Sequence, residues 1–142
     1  MRIHIDEESD LDAVEFLSLA QRVWPRHYDL SAAAHALTAT INITARESGR
    51  LVGCLRILTD GYFFSTIPEM LVDPEFHRRG IGRALLDAAW SRSPTSIALG
   101  AQPGNEAFFV KCGFEPGLAS FERRKPRGGT PGAVRCTIQI PD

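Results

Sequence analysis

The chain lacks the features that mark disulfide-stabilised, exported or membrane-spanning proteins. Its 142 residues hold three cysteines, Cys54, Cys112 and Cys136, which lie far apart and form no Cys-x-x-Cys pair. This argues against a disulfide framework and favours a reducing compartment. The first ten residues are acidic where an export signal needs an apolar run, and no stretch approaches the roughly 20 apolar residues of a membrane span. We therefore expect a cytoplasmic protein with no membrane partner.

Metal-ligand patterns and the common nucleotide-binding motifs are also missing. His4, His27 and His35 are scattered without metal-ligand spacing, so no metal is expected. The glycines at 80–82 are followed by neither the Gly-Lys-Ser/Thr of a Walker A loop nor the third glycine of a dinucleotide fingerprint. The basic run at 123–127 is short in a chain of net charge −1, which argues against a nucleic-acid partner.

Charge is divided unevenly along the chain. Residues 1–76 hold 6 basic and 12 acidic side chains, a net charge of −6, whereas residues 77–142 hold 10 and 5, a net charge of +5. A basic half suits a polyanionic ligand, and an acidic half suits a cationic one. Surface charge that varies without functional meaning explains the asymmetry equally well.

Length predicts one domain over residues 1–142, because the chain is long enough for one core and too short for two. The expected caps are Ser9 or Asp10 for the first helix and Ser31 for the second. Pro68 predicts a β-bulge or an unpaired edge in the fourth strand, since proline donates no backbone hydrogen bond. The predicted elements are strands at 2–5, 40–47, 51–59, 62–72, 96–100 and 133–140, helices at about 10–24, 31–37, 80–91 and 105–112, and an extended segment at 114–124. A parallel crossover is expected from strand 62–72 through a helix to strand 96–100.

The segment from residue 70 to residue 86 reads as a strand, a short basic turn and an amphipathic helix, an order that predicts a phosphate site. Gly80 and Gly82 let the backbone approach phosphate oxygens closely. Arg78 and Arg79 add positive charge, and the helix start offers free N–H groups and its dipole. A glycine-rich helix start with solvated arginines explains the same residues without a ligand.

Two motifs carry a resemblance to a known family. The run L-x-x-P-x-x-x-x-x-G-I-G-R-x-L-L at residues 71–86 resembles the acetyl-CoA-binding motif of the GNAT (Gcn5-related N-acetyltransferase) superfamily. The run N-E-A-F-F-V-K-C-G-F at residues 105–114 resembles the second motif of that family. The resemblance implies an α+β fold with a GNAT-type mixed, mostly antiparallel twisted sheet flanked by helices. Its central strand pair would splay between Val72 and Leu99 to form the acyl-CoA cleft.

The resemblance also implies which groups hold the co-substrate acetyl-CoA. Backbone N–H groups of the turn would hold the pyrophosphate, and that turn comprises His77, Arg78, Arg79, Gly80, Ile81 and Gly82. Leu71 and Val72 would offer backbone groups to the pantetheine arm, with Asn105 and Phe108 on its other side. Asn105 equally suits a simple helix N-cap. His77 stands where the family usually has Gln or Arg, a change that backbone contacts tolerate.

The implied reaction is direct acetyl transfer to a primary amine, a small molecule rather than a protein, in a ternary complex. No well-placed nucleophile suggests an acyl-enzyme. Glu69 is the candidate base, because the splayed sheet would expose it to the cleft, although binding a cationic substrate or facing solvent explains it equally well. Val72 is the candidate oxyanion donor through its N–H. The family's frequent tyrosine acid is Phe109 here, which donates no proton, but a thiol of pKa about 8.5 leaves readily without one.

Several assignments stay open at this point. Cys112 is a second candidate proton donor, although a small buried apolar side chain is the better interpretation. Tyr28 and Tyr62 lie in predicted loops and could also reach the cleft, but their spacing favours neither of them as a proton donor. The loop at 24–29 is expected to shape the acceptor pocket. The alternatives are an acyl-CoA-binding protein without transferase activity and a phosphate-binding module without CoA preference. A homodimer through strand 133–140 would cover its edge.

Overall fold

The computed structural model describes residues 2–126, and these form a helix-flanked sheet. The predicted α+β architecture is confirmed. The elements follow one another in the order β1 (Ile3–Glu7), α1 (Ala13–Val23), α2 (Leu30–Thr38), β2 (Ile41–Glu47), β3 (Arg50–Thr59), β4 (Ser65–Thr66), β5 (Met70–Val72), a 3-10 helix (Pro74–Phe76), α3 (Ile81–Arg92), β6 (Ile97–Ala98) and α4 (Glu106–Lys111). None of the helices in this part of the chain is long and apolar enough to cross a bilayer.

The sheet is mixed and mostly antiparallel. Its strand order is β1-β2-β3-β4-β6, and β5 pairs with β3 beyond the end of β4. The β4–β6 pair is parallel, with Ser65 opposite Ile97 and Thr66 opposite Ala98. Since α3 lies between these strands in the chain, the predicted parallel crossover is confirmed.

The predicted strand 62–72 is in fact two short strands separated by a bulge. The Arg56 N–H donates to the Glu69 carbonyl at 3.4 Å, whereas Leu58 already lies opposite Thr66. One residue of β3 therefore faces the two residues 67–68, the second of which is the proline. Because proline cannot donate to the ladder, the chain bulges there and β5 resumes pairing one register step later.

The two faces of the sheet carry separate hydrophobic clusters. Side chains alternate along β5, so Met70 and Val72 pack on the α3 face and Leu71 packs on the face covered by α1 and α2. The α1–α2 cluster consists of Leu11, Phe16, Leu19, Ala20, Leu37, Leu51, Cys54 and Leu71. Full burial of each large apolar side chain contributes about 1.5–3 kcal/mol to folding.

Both predicted helix caps were wrong. Asp12, rather than Ser9 or Asp10, caps α1, and Asp29, rather than Ser31, caps α2. Each aspartate side chain accepts the N–H three residues along, at 3.1 Å and 2.8 Å. Several residues in each stretch can cap equally well, and the packing of the helix on the sheet decides which one does.

The C-terminal predictions have different outcomes. Residues 114–126 contain no strand or helix, because Pro116 and Gly117 interrupt the segment expected to be extended. The predicted strand 133–140, and the homodimer contact assigned to it, lie outside the described residues.

Candidate active site

One edge of β5 points away from its partner strand. The Asp73 N–H donates to the Val52 carbonyl at 2.8 Å. Hydrogen-bonded pairs alternate along an antiparallel ladder, so Leu71 also bonds to β3, whereas Met70 and Val72 direct their N–H and C=O groups away from it. We call this the open edge of β5. Of the two residues expected to offer backbone groups to a pantetheine arm, only Val72 has them on this edge.

The sheet splays beside the open edge. The Ile67 N–H donates to the Ala98 carbonyl at 3.3 Å, ahead of the bulge. After the bulge β5 pairs with β3, and no β5–β6 pairing occurs in the described part of the chain. The chain leaving β6 leads into α4, so a gap opens between β5 and this segment. The splay expected between Val72 and Leu99 is therefore present.

Asn105 and Phe108, both expected beside that gap, lie at the start of α4. Asn105 occupies the N-cap position, but its side chain makes no capping hydrogen bond to the helix. Its backbone carbonyl accepts the Phe108 N–H at 3.2 Å. The Phe108 ring packs partly buried against the α3-face cluster. The alternative interpretation of Asn105 as a side-chain cap of this helix is therefore not supported.

The basic turn, His77–Gly82, has a backbone suited to an anion. Arg78 and Gly80 both have left-handed backbones, with φ of 63° and 77°. Gly80 is the N-cap of α3, and the first intrahelical bond runs from the Ala84 N–H to the Gly80 carbonyl. The N–H groups of residues 81–83 therefore have no acceptor within the helix, at the positive end of its dipole.

The His77 side chain ties the basic turn to the open edge. Its Nε2 lies 3.1 Å from the Val72 carbonyl oxygen. A carbonyl only accepts, so this nitrogen carries the hydrogen and donates it. Sequence reasoning gave His77 only a backbone role and did not predict this contact.

A buried carboxylate, Asp73, anchors the turn from behind. It accepts hydrogen bonds from Arg22 at 2.9 Å, from Arg50 at 3.0 Å and from the Glu75 N–H at 2.9 Å. Burial alone would raise the Asp73 pKa, but these donors and the two arginine charges hold it below its ordinary value. We call these four residues the Asp73 cluster. It joins the start of the turn to α1 and β3, and sequence reasoning missed it.

A pocket lies between α1, α2, β3 and β5. Its volume of about 60 Å³ exceeds the roughly 10–15 Å³ that one water needs. Phe16 from α1 and Ala33 from α2 line its walls, and Leu71 lies at its base. We call it the α1–α2 pocket. The pocket borders β5, the strand whose Met70 and Val72 backbone groups form the open edge.

The base of this pocket holds a buried ion pair between Arg56 and Glu69. The Arg56 Nη2 donates to Glu69 Oε2 at 2.8 Å, and the Arg56 Nε donates to Oε1. Glu69 was expected to be exposed in the cleft; it is buried, because Arg56 lies across the ladder and balances its charge. Arg56 takes one acceptor site on each carboxylate oxygen, which leaves further acceptor sites for a donor in the pocket.

The predicted loop at 24–29 does line this pocket. The Tyr28 hydroxyl donates to the Trp24 carbonyl at 2.8 Å, and the Arg26 guanidinium stacks on both rings. Trp24, Tyr28 and the exposed Asp29 line the pocket at its outer end. Tyr62, in contrast, is 81% exposed in the β3–β4 turn and is not among the lining residues.

Phe109, which stands where the family frequently has a tyrosine acid, and Cys112, the second candidate proton donor, lie at the end of α4. Phe109 is buried, with edge-to-face contacts to Phe108 and Phe114 at centroid distances of 5.4 Å and 5.8 Å. It is a core residue. Partial burial raises the pKa of the Cys112 thiol, which keeps it protonated. Among residues 2–126, no three His, Cys, Asp or Glu side chains are grouped to hold a metal ion.

Comparison with known sequences identifies the family. A model of the acetyltransferase (GNAT) domain matches residues 38–116, more than half of the chain. Histone acetyltransferase TAP1 of Glycine max is 28% identical over 122 residues, which cover 75% of this chain and 53% of that protein. For GCN5-related N-acetyltransferase 2, chloroplastic, of Arabidopsis thaliana, identity is 28% over 131 residues, with coverage of 75% and 51%. The chain therefore spans about half the length of these relatives.

Solved structures share the fold. A GNAT-family protein of Xanthomonas campestris pv. campestris superposes with a TM-score of 0.71 at 23% identity, covering 94% of this chain and 96% of that one. AAC(6')-Iy, solved with the bisubstrate analogue CoA-S-monomethyl-acetylneamine, gives 0.69 at 19% identity, with coverage of 89% and 99%. With the fold shared and the domain model matched over residues 38–116, the chain belongs to the GNAT family of acetyltransferases.

Proposed function

We propose that this protein transfers the acetyl group of acetyl-CoA to a primary amine, a small molecule rather than a protein. One observation carries the proposal: the open edge belongs to β5, and the same strand lines the α1–α2 pocket. A thioester on the edge and an amine in the pocket would meet at residues 69–72. The family membership of the chain supports the same reaction.

On the donor side, we assign the pyrophosphate to the N–H groups of the basic turn. A helix start contributes about 0.3–1 kcal/mol per exposed anion contact. The Val72 backbone would receive the pantetheine arm, and Asn105 and Phe108 would flank it from α4. The Asn105 side chain suits this role because it makes no capping bond to the first turn of α4.

On the acceptor side, we assign proton removal to Glu69. An alkylamine has a pKa of about 10.4, so at neutral pH it must lose a proton before it attacks. The Glu69 carboxylate lines the pocket with acceptor capacity to spare, so it can take that proton directly or through a water. Binding and orienting the ammonium is the weaker role that the same geometry supports.

The remaining steps need no further side chain. Attack of the neutral amine on the thioester carbon forms a tetrahedral oxyanion, and the Val72 N–H on the open edge would stabilise it. Collapse breaks the C–S bond and releases CoA thiolate, which takes up the proton that the attacking nitrogen loses, directly or through water, so the products are the neutral amide and CoA. A thiol pKa of about 8.5 makes this thiolate an adequate leaving group without a proton donor. The buried Phe109 is consistent with such a mechanism, although it also favours the alternative of an acyl-CoA-binding protein without transferase activity.

We propose a reducing, cytoplasmic setting for this reaction. Among the described residues Cys54 and Cys112 are both free thiols. Cys54 is fully buried, and burial raises its pKa, so it is unreactive.

Thermal unfolding with acetyl-CoA, CoA or ADP tests the donor assignment. A ligand at 100 times its Kd adds about 2.7 kcal/mol of stability. Stabilisation by acetyl-CoA and CoA well beyond that by ADP is the expected result. Equal stabilisation by all three would favour a phosphate-binding module, and no shift at millimolar concentration would contradict the donor site. Loss of thioester absorbance with an amine then separates a transferase from a protein that only binds acyl-CoA.

A further inference from the structure

The walls of the α1–α2 pocket are apolar, and small side chains leave its space open. α2 contributes Ala32, Ala33 and Ala36, which are all partly exposed, and Trp24 and Tyr28 supply aromatic faces. Alanine side chains occupy little volume, so three of the four α2 positions that line the pocket leave its space open, and Leu37 is the one large α2 side chain among them. Such walls favour an apolar body in the ligand, because its burial releases water from both surfaces.

The charges around the pocket favour a ligand with a single cation. Glu69 at the base is balanced by Arg56, so the pair presents no net charge to a ligand. Asp29 is the other acidic lining residue, and its side chain already accepts the Ala32 N–H at 2.8 Å. The Arg26 guanidinium, stacked on Trp24 and Tyr28, adds a fixed positive charge next to the lining residues. Among the described lining residues only the exposed Asp29 is left to pair with a second ammonium group, and the nearby Arg26 charge opposes that pairing; a third ammonium group would find no acidic partner.

We propose that the acceptor is a primary monoamine with an apolar aryl or alkyl body, and that polycationic amines are disfavoured. This inference rests on the proposed function. The amine would reach Glu69 at the base, and the body would lie against α2 and the aromatic rings. The side chains of α2 facing the pocket would set the size of body that fits.

Tryptophan fluorescence tests the pocket independently of turnover. The chain has two tryptophans, and Trp90 is 64% exposed on α3, so Trp90→Phe leaves Trp24 as the sole fluorophore. We would titrate this variant, with CoA present, with 2-phenylethylamine, spermidine and a lysine-rich peptide. A saturable change with 2-phenylethylamine at a Kd at least tenfold below those of both polycations is expected. Equal or tighter binding of either polycation would overturn the inference.

Two alanine variants on one helix supply a matched comparison. Ala33→Leu fills the pocket, whereas Ala34→Leu adds the same side chain at an exposed position of α2 that does not line it. Alanine and leucine differ little in helix propensity, so both variants should fold. We expect Ala33→Leu to weaken 2-phenylethylamine binding at least tenfold and Ala34→Leu to leave it within twofold. Equal effects of the two substitutions would place the amine elsewhere.

Turnover with the same three amines separates this inference from the proposed function. We expect kcat/KM for 2-phenylethylamine to exceed that for spermidine and the peptide at least tenfold. Efficient turnover of a polycation overturns the monoamine inference and leaves the transferase standing. Binding of 2-phenylethylamine at Trp24 without turnover of any amine overturns the transferase and leaves the pocket assignment standing.

Discussion

The basic turn and the α1–α2 pocket are two halves of one candidate site, and they are built in opposite ways. The turn is six consecutive residues, in which Arg78 and Gly80 have left-handed backbones and the N–H groups of residues 81–83 have no acceptor within the helix. The pocket draws side chains from four elements between Phe16 and Leu71. A backbone site needs only a local conformation, and a short motif encodes it. A side-chain site depends on how distant elements pack, so its specificity can change while the motif stays the same.

The two buried carboxylates beside these regions, Asp73 at the turn and Glu69 at the pocket, also differ in their surroundings. Asp73 accepts from two arginines and a backbone N–H, and it lies behind the turn as a fixed structural anchor. Glu69 accepts from Arg56 alone among its described hydrogen-bond partners, and it lines a pocket. We infer that the first carboxylate holds the fold and that the second serves the acceptor.

Glu69→Gln should give the largest effect on activity. Removing a general base lowers turnover by about 100-fold or more, while the KM for acetyl-CoA should stay within twofold, because the donor contacts lie on the open edge and the turn. Steady-state kinetics with 2-phenylethylamine measures both. Glu75→Gln is the control, since Glu75 also pairs with arginines but is 66% exposed on its side chain.

The Glu69 variant also removes the carboxylate that balances the buried Arg56 charge, and breaking a buried ion pair from one side costs about 3–5 kcal/mol. The double variant Arg56→Gln/Glu69→Gln removes both charges and avoids that cost. Comparable inactivity of the single and double variants, with both folded by circular dichroism, would assign the loss to the carboxylate. Recovery of turnover in the double variant would contradict the role of Glu69 as base.

Asp73→Asn should lower stability without touching the pocket. A hydrogen bond to a charged group contributes about 1.5–3 kcal/mol, so we expect a loss of about 2 kcal/mol at pH 7 in urea unfolding. The folded-state pKa of Asp73 is lowered, so its contribution is present above the unfolded value of about 3.9 and is lost as pH falls toward the folded pKa. The difference in the free energy of unfolding between wild type and variant should therefore decrease below about pH 4. A difference in the free energy of unfolding that does not change with pH would show that the Asp73 charge is not what stabilises the turn.

Gly80→Ala should affect acetyl-CoA binding at the basic turn and leave the α1–α2 pocket unchanged. Gly80 and Gly49 have nearly equal φ values, 77° and 84°, and both have open space where the Cβ of an alanine would lie. Alanine at either position adopts a left-handed backbone at a cost of about 1–2 kcal/mol. We expect only Gly80→Ala to raise the KM for acetyl-CoA, by about tenfold, because Gly49 lies in the β2–β3 turn, outside the basic turn. Similar KM values for the two variants would remove the basic turn from the donor site.

Phe109→Tyr should have the smallest effect. The ring is packed between two other phenylalanines, so an added hydroxyl is buried, and kcat should change by less than about threefold because the thiolate leaves unaided. A large gain in kcat would show that a proton donor is missing from this chain and that Phe109 limits its rate.

The sequence predicted the turn, the bulge and the order of elements because each rests on local chemistry. Gly80, Pro68 and the alternation of strands act within a few residues of themselves. The pocket base and the Asp73 cluster were not predictable, since each joins separate elements of the fold. The His77 contact to Val72 spans only five residues, but it depends on how the 3-10 helix between them turns the chain back, which the residue pattern does not show. Glu69 illustrates the limit: its place before the turn was correct, but its burial depends on Arg56, which pairs with it only across the bulged ladder.

The most direct test measures the KM for acetyl-CoA and the KM for 2-phenylethylamine in Gly80→Ala and Ala33→Leu, side by side with wild type. If the turn holds the donor and the α1–α2 pocket holds the acceptor, Gly80→Ala raises only the first constant and Ala33→Leu raises only the second. If both variants raise the same constant, or each raises both equally, the donor and the acceptor do not occupy separate sides of β5.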